Sequence, residues 1–156
     1  MVRDEILFMN DEKMTFLLVE DSEHDVLAFR RAWRDNGIAH ELRVVRDGRE
    51  CLDYLQGHDP YEGQEDRPRP DVIVLNDHLP KMRGQSVLAA LQQNEAWAAI
   101  PVIVFTASQS PRKELHSYAR CANAYIVKPM TYEDLSRTVR RLCRFWELVE
   151  IPETPS

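Results

Sequence analysis

Residues 71–84 read DVIVLNDHLPKMRG, and this stretch decides the fold. Val72–Leu75 is an unbroken apolar run, the composition of a strand covered on both faces rather than one with a wet side. It stops abruptly at Asn76-Asp77, and Pro80 and Gly84 mark a loop behind it. Thr15–Val19 (TFLLV) and Ile100–Phe105 (IPVIVF) are two further apolar runs, Ala124–Val127 (AYIV) is a shorter one, and His40–Val45 alternates like a half-exposed strand. Between these runs the period lengthens to that of a helix. Val26, Phe29, Arg30 and Trp33 lie three to four apart and stop at Asn36-Gly37. Asp47–Leu55 carries Leu52 and Leu55 and closes at Gly57, and Gln85–Gln93 carries Val87, Leu88 and Leu91. Pro111–Ala119 has proline in its first turn, and Thr131–Glu150 sets Leu135, Val139, Leu142, Trp146 and Val149 on one stripe. Five strands alternating with five helices predict an α/β fold, doubly wound, with a five-stranded parallel sheet covered by helices on both faces.

The chain has 156 residues, 44% of them hydrophobic, which fits one domain with a substantial core. Residues 1–13 read as a flexible N-terminal tail, 14–150 as the domain, 58–70 as an extended acidic loop and 151–156 as a C-terminal tail. No apolar run approaches the roughly 18 residues of a membrane span. The N-terminus lacks the basic flank and apolar centre of a secretory signal, so a cytoplasmic protein is expected. A net charge of −6 argues against general affinity for nucleic acid or anionic membranes. Cys51, Cys121 and Cys143 are far apart and unpaired in spacing, which predicts buried reduced thiols. His24, His40, His58 and His116 show no ligand spacing and read as surface residues.

The polar residues fall at the strand ends. In an open parallel sheet, functional groups gather beyond the carboxyl ends of the strands. There the sequence places Glu20-Asp21, Asn76-Asp77, Thr106 followed by Ala107, and Lys128-Pro129. Paired carboxylates with a hydroxyl and an ammonium are the donor set for a divalent cation and a phosphoryl group. A flavin or nucleotide carrier on the same architecture needs a glycine- or hydroxyl-rich phosphate loop after the first strand, and the chain offers the anionic EDSEHD instead.

LLVEDS (17–22), DVIVLNDHLPKMRG (71–84), VIVFTAS (102–108) and NAYIVKP (123–129), in that order, resemble the receiver domain of two-component response regulators. The loop at 58–70 and the ending RFWELVEIP look like the phytochrome-associated single-domain members. The resemblance implies a flavodoxin-like strand order 2-1-3-4-5 and a signalling role in a histidine-aspartate phosphorelay rather than an enzyme. It implies magnesium held by Glu20, Asp21, the residue at position 76 and the backbone carbonyl of His78. Thr106, Ala107 and Lys128 would bind the phosphoryl group, and Tyr125 would change rotamer as Thr106 moves. The implied partner is a sensor histidine kinase, and the sub-family resemblance implies a phytochrome, with output through a partner or through dimerisation.

One residue departs from the pattern. Counted from Asp71 without a gap, the phosphoacceptor position is Asn76, an amide that is a very poor nucleophile toward phosphorus. Asp77 follows it, but neighbouring strand residues face opposite sides, so its carboxylate should point away from the pocket. An engineered Asp→Asn change, a naturally divergent receiver acting as a phosphorylation-independent interaction module, and slow deamidation of Asn76 are the three readings. Loss of one of three clustered carboxylates should weaken magnesium binding. Phe145, Trp146, Leu148, Val149 and Ile151 form an apolar cluster at the end of the last helix, which suggests a two-fold homodimer through that helix.

Overall fold

The computed structural model describes residues 13–57, 67–79, 82–106 and 124–148. Strand β1 (Thr15–Val19) is followed by helix α1 (Glu23–Asp35), β2 (Glu41–Val45) and α2 (Gly48–Gln56). Then come β3 (Val72–Asn76), α3 (Gly84–Gln92), a four-residue helix α4 (Glu95–Ala98), β4 (Val102–Thr106), β5 (Ala124–Val127) and α5 (Tyr132–Leu148). The five strands form one sheet in the order β2-β1-β3-β4-β5, and every neighbouring pair is parallel. The expected architecture and strand order are therefore observed.

Alternation along each strand sorts the core into two layers. Leu17 and Val19 of β1, Ile73 and Leu75 of β3, and Val102 and Val104 of β4 face α2 and α3, where they meet Cys51, Tyr54, Val87 and Leu91. Phe16, Leu18, Val72, Val74, Ile103 and Phe105 face α1 and α5, where they meet Phe29, Trp33, Val139 and Trp146. Every residue of β1, β3 and β4 is buried, whereas β2 is half-buried at an edge, in line with its alternating sequence. At roughly 25 cal/mol per Å² of apolar surface removed from water, these two layers are the main stabilising term.

The helix ends follow their local chemistry. Ser22 caps α1 by accepting the Asp25 amide, and Asp47 caps α2 by accepting the Glu50 amide. Gly57 ends α2 at φ 75°, a conformation glycine adopts without strain. The helix α4 has no counterpart in the sequence reading. Its Asn94 cap accepts the Ala96 amide, but four residues give no amphipathic period to detect. The predicted helix Pro111–Ala119, Cys121, and most of the 58–70 loop and both tails lie outside the described residues.

Two expectations need correction. His40 is buried rather than superficial: its Nδ1 accepts the Met14 amide at 3.0 Å, and its Nε2 meets Glu147 at 3.0 Å. Trp146 is also buried, 7% exposed in the α1/α5 layer, so it belongs to the core and not to a free apolar patch. Helical geometry explains the split, because adjacent residues point about 100° apart and Phe145 takes the solvent side at 58% exposure.

Cys51 and Cys143 are free and buried, one in each layer. Burial pushes both thiols up to about 12. Both stay protonated in the fold, while the unfolded chain ionises near the ordinary value of 9.0. The stability they contribute is complete below that value and is lost as pH rises toward about 12. The urea midpoint should therefore fall between about pH 8 and about pH 11, and the Cys51→Ala/Cys143→Ala variant should fall less steeply. Parallel slopes in a urea titration would contradict this account.

Candidate functional site

The carboxyl ends of β1 and β3, the first turn of α1 and the segment after β5 meet in one cluster of charge. Asn76 is the last residue of β3 and Glu20 directly follows β1, so the parallel pairing of Val19 with Leu75 brings them side by side. Both belong to the α1/α5 side by alternation with Leu18 and Val74. Asn76 Nδ2 donates to Glu20 Oε2 at 2.6 Å and to Asp21 Oδ1 and the His78 carbonyl, each at 3.3 Å. Asn76 Oδ1 accepts the His78 amide at 3.3 Å. The reverse amide orientation would put two oxygens in contact with no proton between them, so the network fixes which end faces the carboxylates.

Lys128 completes the cluster. Its Nζ donates to Glu20 Oε1 at 2.8 Å and to Asp25 Oδ2 at 2.6 Å. Glu20 is 4% exposed, and burial raises its carboxyl above the usual range even though Lys128 draws it back. Burial by itself would lower Lys128, but the hydrogen bonds to Asp25 and Glu20 outweigh it and hold the ammonium above its ordinary value. Each buried charge thus depends on the other, which is the usual condition for charge in a protein interior. Asp25 had no role in the sequence reading. It sits in EDSEHD, where its amide serves the Ser22 cap and its carboxylate turns toward β5.

Thr106 is not part of this cluster through its side chain. Its backbone carbonyl accepts the Lys128 amide at 2.6 Å, but its hydroxyl donates to Asp77 Oδ2 at 3.0 Å. Of the residues expected to share one hollow, Glu20, Asp21, Asn76 and Lys128 are joined by side-chain hydrogen bonds, and Thr106 meets Lys128 through its backbone. Asp77 does lie on the side opposite Asn76, as strand alternation requires. Thr106 lies on that side too, because it follows Val104 by two and Asp77 follows Leu75 by two. Tyr125, level with Val104 in the register, packs on the same layer. Ala107 lies outside the described residues.

A divalent cation such as magnesium needs oxygen ligands turned to one point. Two carboxylates and the His78 carbonyl converge on one point, but a donor nitrogen of Asn76 stands there, and a donor does not ligate a metal. Among the described residues no group of three or more His, Cys, Asp or Glu side chains is arranged to hold a metal ion. Glu20, Asp21 and the His78 carbonyl are oxygen donors of the kind such a cation takes, and rotation of the Asn76 amide would add its Oδ1 to them. A cavity of about 50 Å³ adjoins the cluster between Leu18, Phe29 and Leu135. It is far smaller than the roughly 300 Å³ of a small-molecule site, so the flavin or nucleotide reading gains no support there. Deamidation of Asn76 needs attack by the Asp77 backbone nitrogen, and that N–H is engaged with the Phe105 carbonyl at 2.9 Å.

Residues 16–140 match the response regulator receiver domain. The chain belongs to this family. As a receiver it is 36% identical over 148 residues to the response regulator Rcp1 of Synechocystis, covering 92% of this chain and 99% of that protein. It is 35% identical over 136 residues to the probable methanogenesis regulatory protein FilR2 of Methanothrix harundinacea, covering 87% of this chain and 85% of that protein. Among solved structures, the phosphorylated cyanobacterial phytochrome response regulator RcpA superposes with a TM-score of 0.80 at 31% identity, covering 91% of this chain and all of that one. Rcp1 has itself been crystallised in a Mn²⁺-bound form, with a TM-score of 0.77 to this receiver over 90% of this chain and 99% of that one.

The geometry makes Lys128 the chief partner of two carboxylates. Lys128→Met should lower the urea-unfolding free energy by about 2 kcal/mol, since Glu20 is left buried and unpaired. Adding Glu20→Gln should recover part of that loss. A double variant as unstable as the sum of the singles would show that the pair is not coupled.

Proposed function

We propose that this receiver works as a phosphorylation-independent interaction module within two-component signalling. One observation carries the reading: the Asn76 amide nitrogen lies 2.6 Å from Glu20 and also within reach of Asp21 and the His78 carbonyl. Position 76 provides no nucleophile, and its amide supplies the positive contact that a cation supplies among three carboxylates. The module has no reaction of its own and acts by binding. Its partner is a sensor histidine kinase. The relatives named for phytochrome systems, RcpA among them, favour one of the phytochrome class. A net charge of −6 keeps it from nucleic acid, and no helix among the described residues is long and apolar enough to cross a membrane, which suits work in the cytoplasm.

A homodimer through α5 is part of the same reading. Phe145 is 58% exposed at the end of that helix, edge-on to buried Trp146 at 5.2 Å. An exposed aromatic beside the core is a good anchor for a self-complementary contact.

The second reading is an ordinary phosphorelay receiver held off by the amide, and the same substitution separates the two. Asn76→Asp should destabilise the metal-free protein by about 1 kcal/mol at neutral pH, because three carboxylates then repel one another. Magnesium should raise the melting temperature of that variant and leave the unmodified chain unchanged. The unmodified chain should gain no phosphoryl mass from a small phosphodonor. Equal metal-induced shifts in both proteins would defeat the proposal, and phosphoryl-dependent kinase binding by Asn76→Asp would favour the second reading. For the dimer, Phe145→Glu should convert a two-chain mass in sedimentation equilibrium to one chain. A single-chain mass for the unmodified protein at all concentrations would end that part.

A further inference from the structure

At the edge of the sheet opposite Glu20, residues 67–70 (RPRP) pass between α2 and α4 on their way into β3. The segment is tied on both sides. Tyr54 Oη donates to the Pro68 carbonyl at 2.8 Å, and Arg69 Nη2 donates to the Ala96 carbonyl at 2.9 Å. Here lies a cavity of about 150 Å³, lined by Tyr54, Leu55 and Trp97 together with Arg67 and Arg69. An apolar cavity of that size holds one benzene ring.

The Arg67 guanidinium is held by packing rather than by a counter-charge. Its Cζ lies 5.8 Å from the centroid of the Tyr54 ring. Its terminal nitrogens lie over Gly57, 2.7 and 3.2 Å from the point that a Cβ there would occupy. Its Nε is buried and has no hydrogen-bond partner among the described residues. The acids beside the segment are engaged elsewhere: Asp71 accepts the Thr15 amide at 2.8 Å, and Asp53 faces Arg49 at 3.5 Å. A partly buried cation without a counter-ion carries a desolvation cost that nothing offsets. A guanidinium takes a carboxylate through two parallel N–H donors. In a chain of net charge −6, two arginines on one aromatic-lined hollow reverse the local sign.

We propose that this cavity is a binding site for a small organic carboxylate that carries one ring-sized apolar group. The apolar group packs against Tyr54, Leu55 and Trp97, and the carboxylate meets Arg67, with exposed Arg69 adding charge at the mouth. The space falls short of the roughly 300 Å³ of a cofactor site, so the ligand is compact. Inorganic phosphate would use the arginines and leave the apolar wall bare. The site shares no residue with the cluster around Glu20 and does not depend on what position 76 can do.

The test is a two-dimensional NMR titration of the full chain that follows the Trp97 indole N–H and the Arg67 Nε–H. The probes are phenylacetate, its neutral amide phenylacetamide, acetate, inorganic phosphate and the peptide acetyl-glycyl-phenylalanine. Phenylacetate should move both signals to saturation and leave the Glu20 and Asn76 amides in place. Phenylacetamide and acetate should each bind about tenfold more weakly or worse, one for want of charge and the other for want of a ring. Arg67→Met should weaken phenylacetate by a similar factor and leave phenylacetamide unchanged, a split that a merely structural arginine would not give. Equal affinity for phenylacetate and phenylacetamide, or no saturable shift with phenylacetate, overturns the proposal, and that comparison needs only the unmodified chain. Tighter binding of phosphate than of phenylacetate overturns it in favour of a plain anion site. Tighter binding of the peptide overturns it in favour of a protein terminus.

Discussion

Glu20 is the constraint on which the site depends. Its carboxylate is almost wholly buried where β1 ends, and a buried anion is tolerated only with compensating charge and donors. Lys128 provides the charge from beyond β5, and the Asn76 amide and the Ser22 backbone N–H provide further donors. These partners come from two strand ends and one helix start, so the carboxylate, itself at the end of β1, ties β1, β3 and β5 together at the edge where function gathers. Asp25 takes a second proton of the ammonium and thereby ties α1 into the same knot. The network is stable as a closed set, because every strong donor in it faces an acceptor.

The fold was legible because its strands are buried on both faces. A run such as VIVL or TFLLV leaves no polar side for water, and only a sheet covered by helices above and below accommodates it. The alternation of these runs with amphipathic helices then set the order of elements. What stayed hidden has physical causes. The helix Glu95–Ala98 is too short for periodicity to register. His40 looked like a surface histidine because its two partners, the Met14 amide and Glu147, lie 26 and 107 residues away in sequence. Trp146 reads in the sequence both as part of the stripe with Leu135, Val139 and Leu142 and as part of the terminal apolar cluster, and helical period favours the stripe, which is where it lies.

The site divides in the same way. Glu20, Asp21, Asn76 and Lys128 were legible as a group because strand ends in a parallel sheet converge whatever the loops do. Two contacts were not. Asp25 needed knowledge of how far Lys128 reaches back across the sheet. The Asp77–Thr106 bond needed the register of β3 against β4, in which Asn76 pairs with Phe105 and the next residues, Asp77 and Thr106, fall level on the other side. Strand alternation puts Asp77 opposite Asn76, and it puts Thr106 on the same side as Asp77, since Val104 lies two residues before Thr106.

Regulation follows from what can still bind differently to the two states of such a domain. A ligand shifts an equilibrium only by the difference in its affinity for the two forms. In a receiver with an acidic triad, the metal and the phosphoryl group supply that difference, because three carboxylates repel until a cation arrives and the hydroxyl at the end of β4 lacks an anion until phosphate arrives. Here the Asn76 amide meets the acidic pair, and the Thr106 hydroxyl is turned to Asp77 on the side of β3 opposite Asn76. On the proposed reading, differential affinity comes from contact with another protein surface. The surface around β5 and α5, where Val127, Met130 and Phe145 stand exposed, is then where a partner would bear on the receiver.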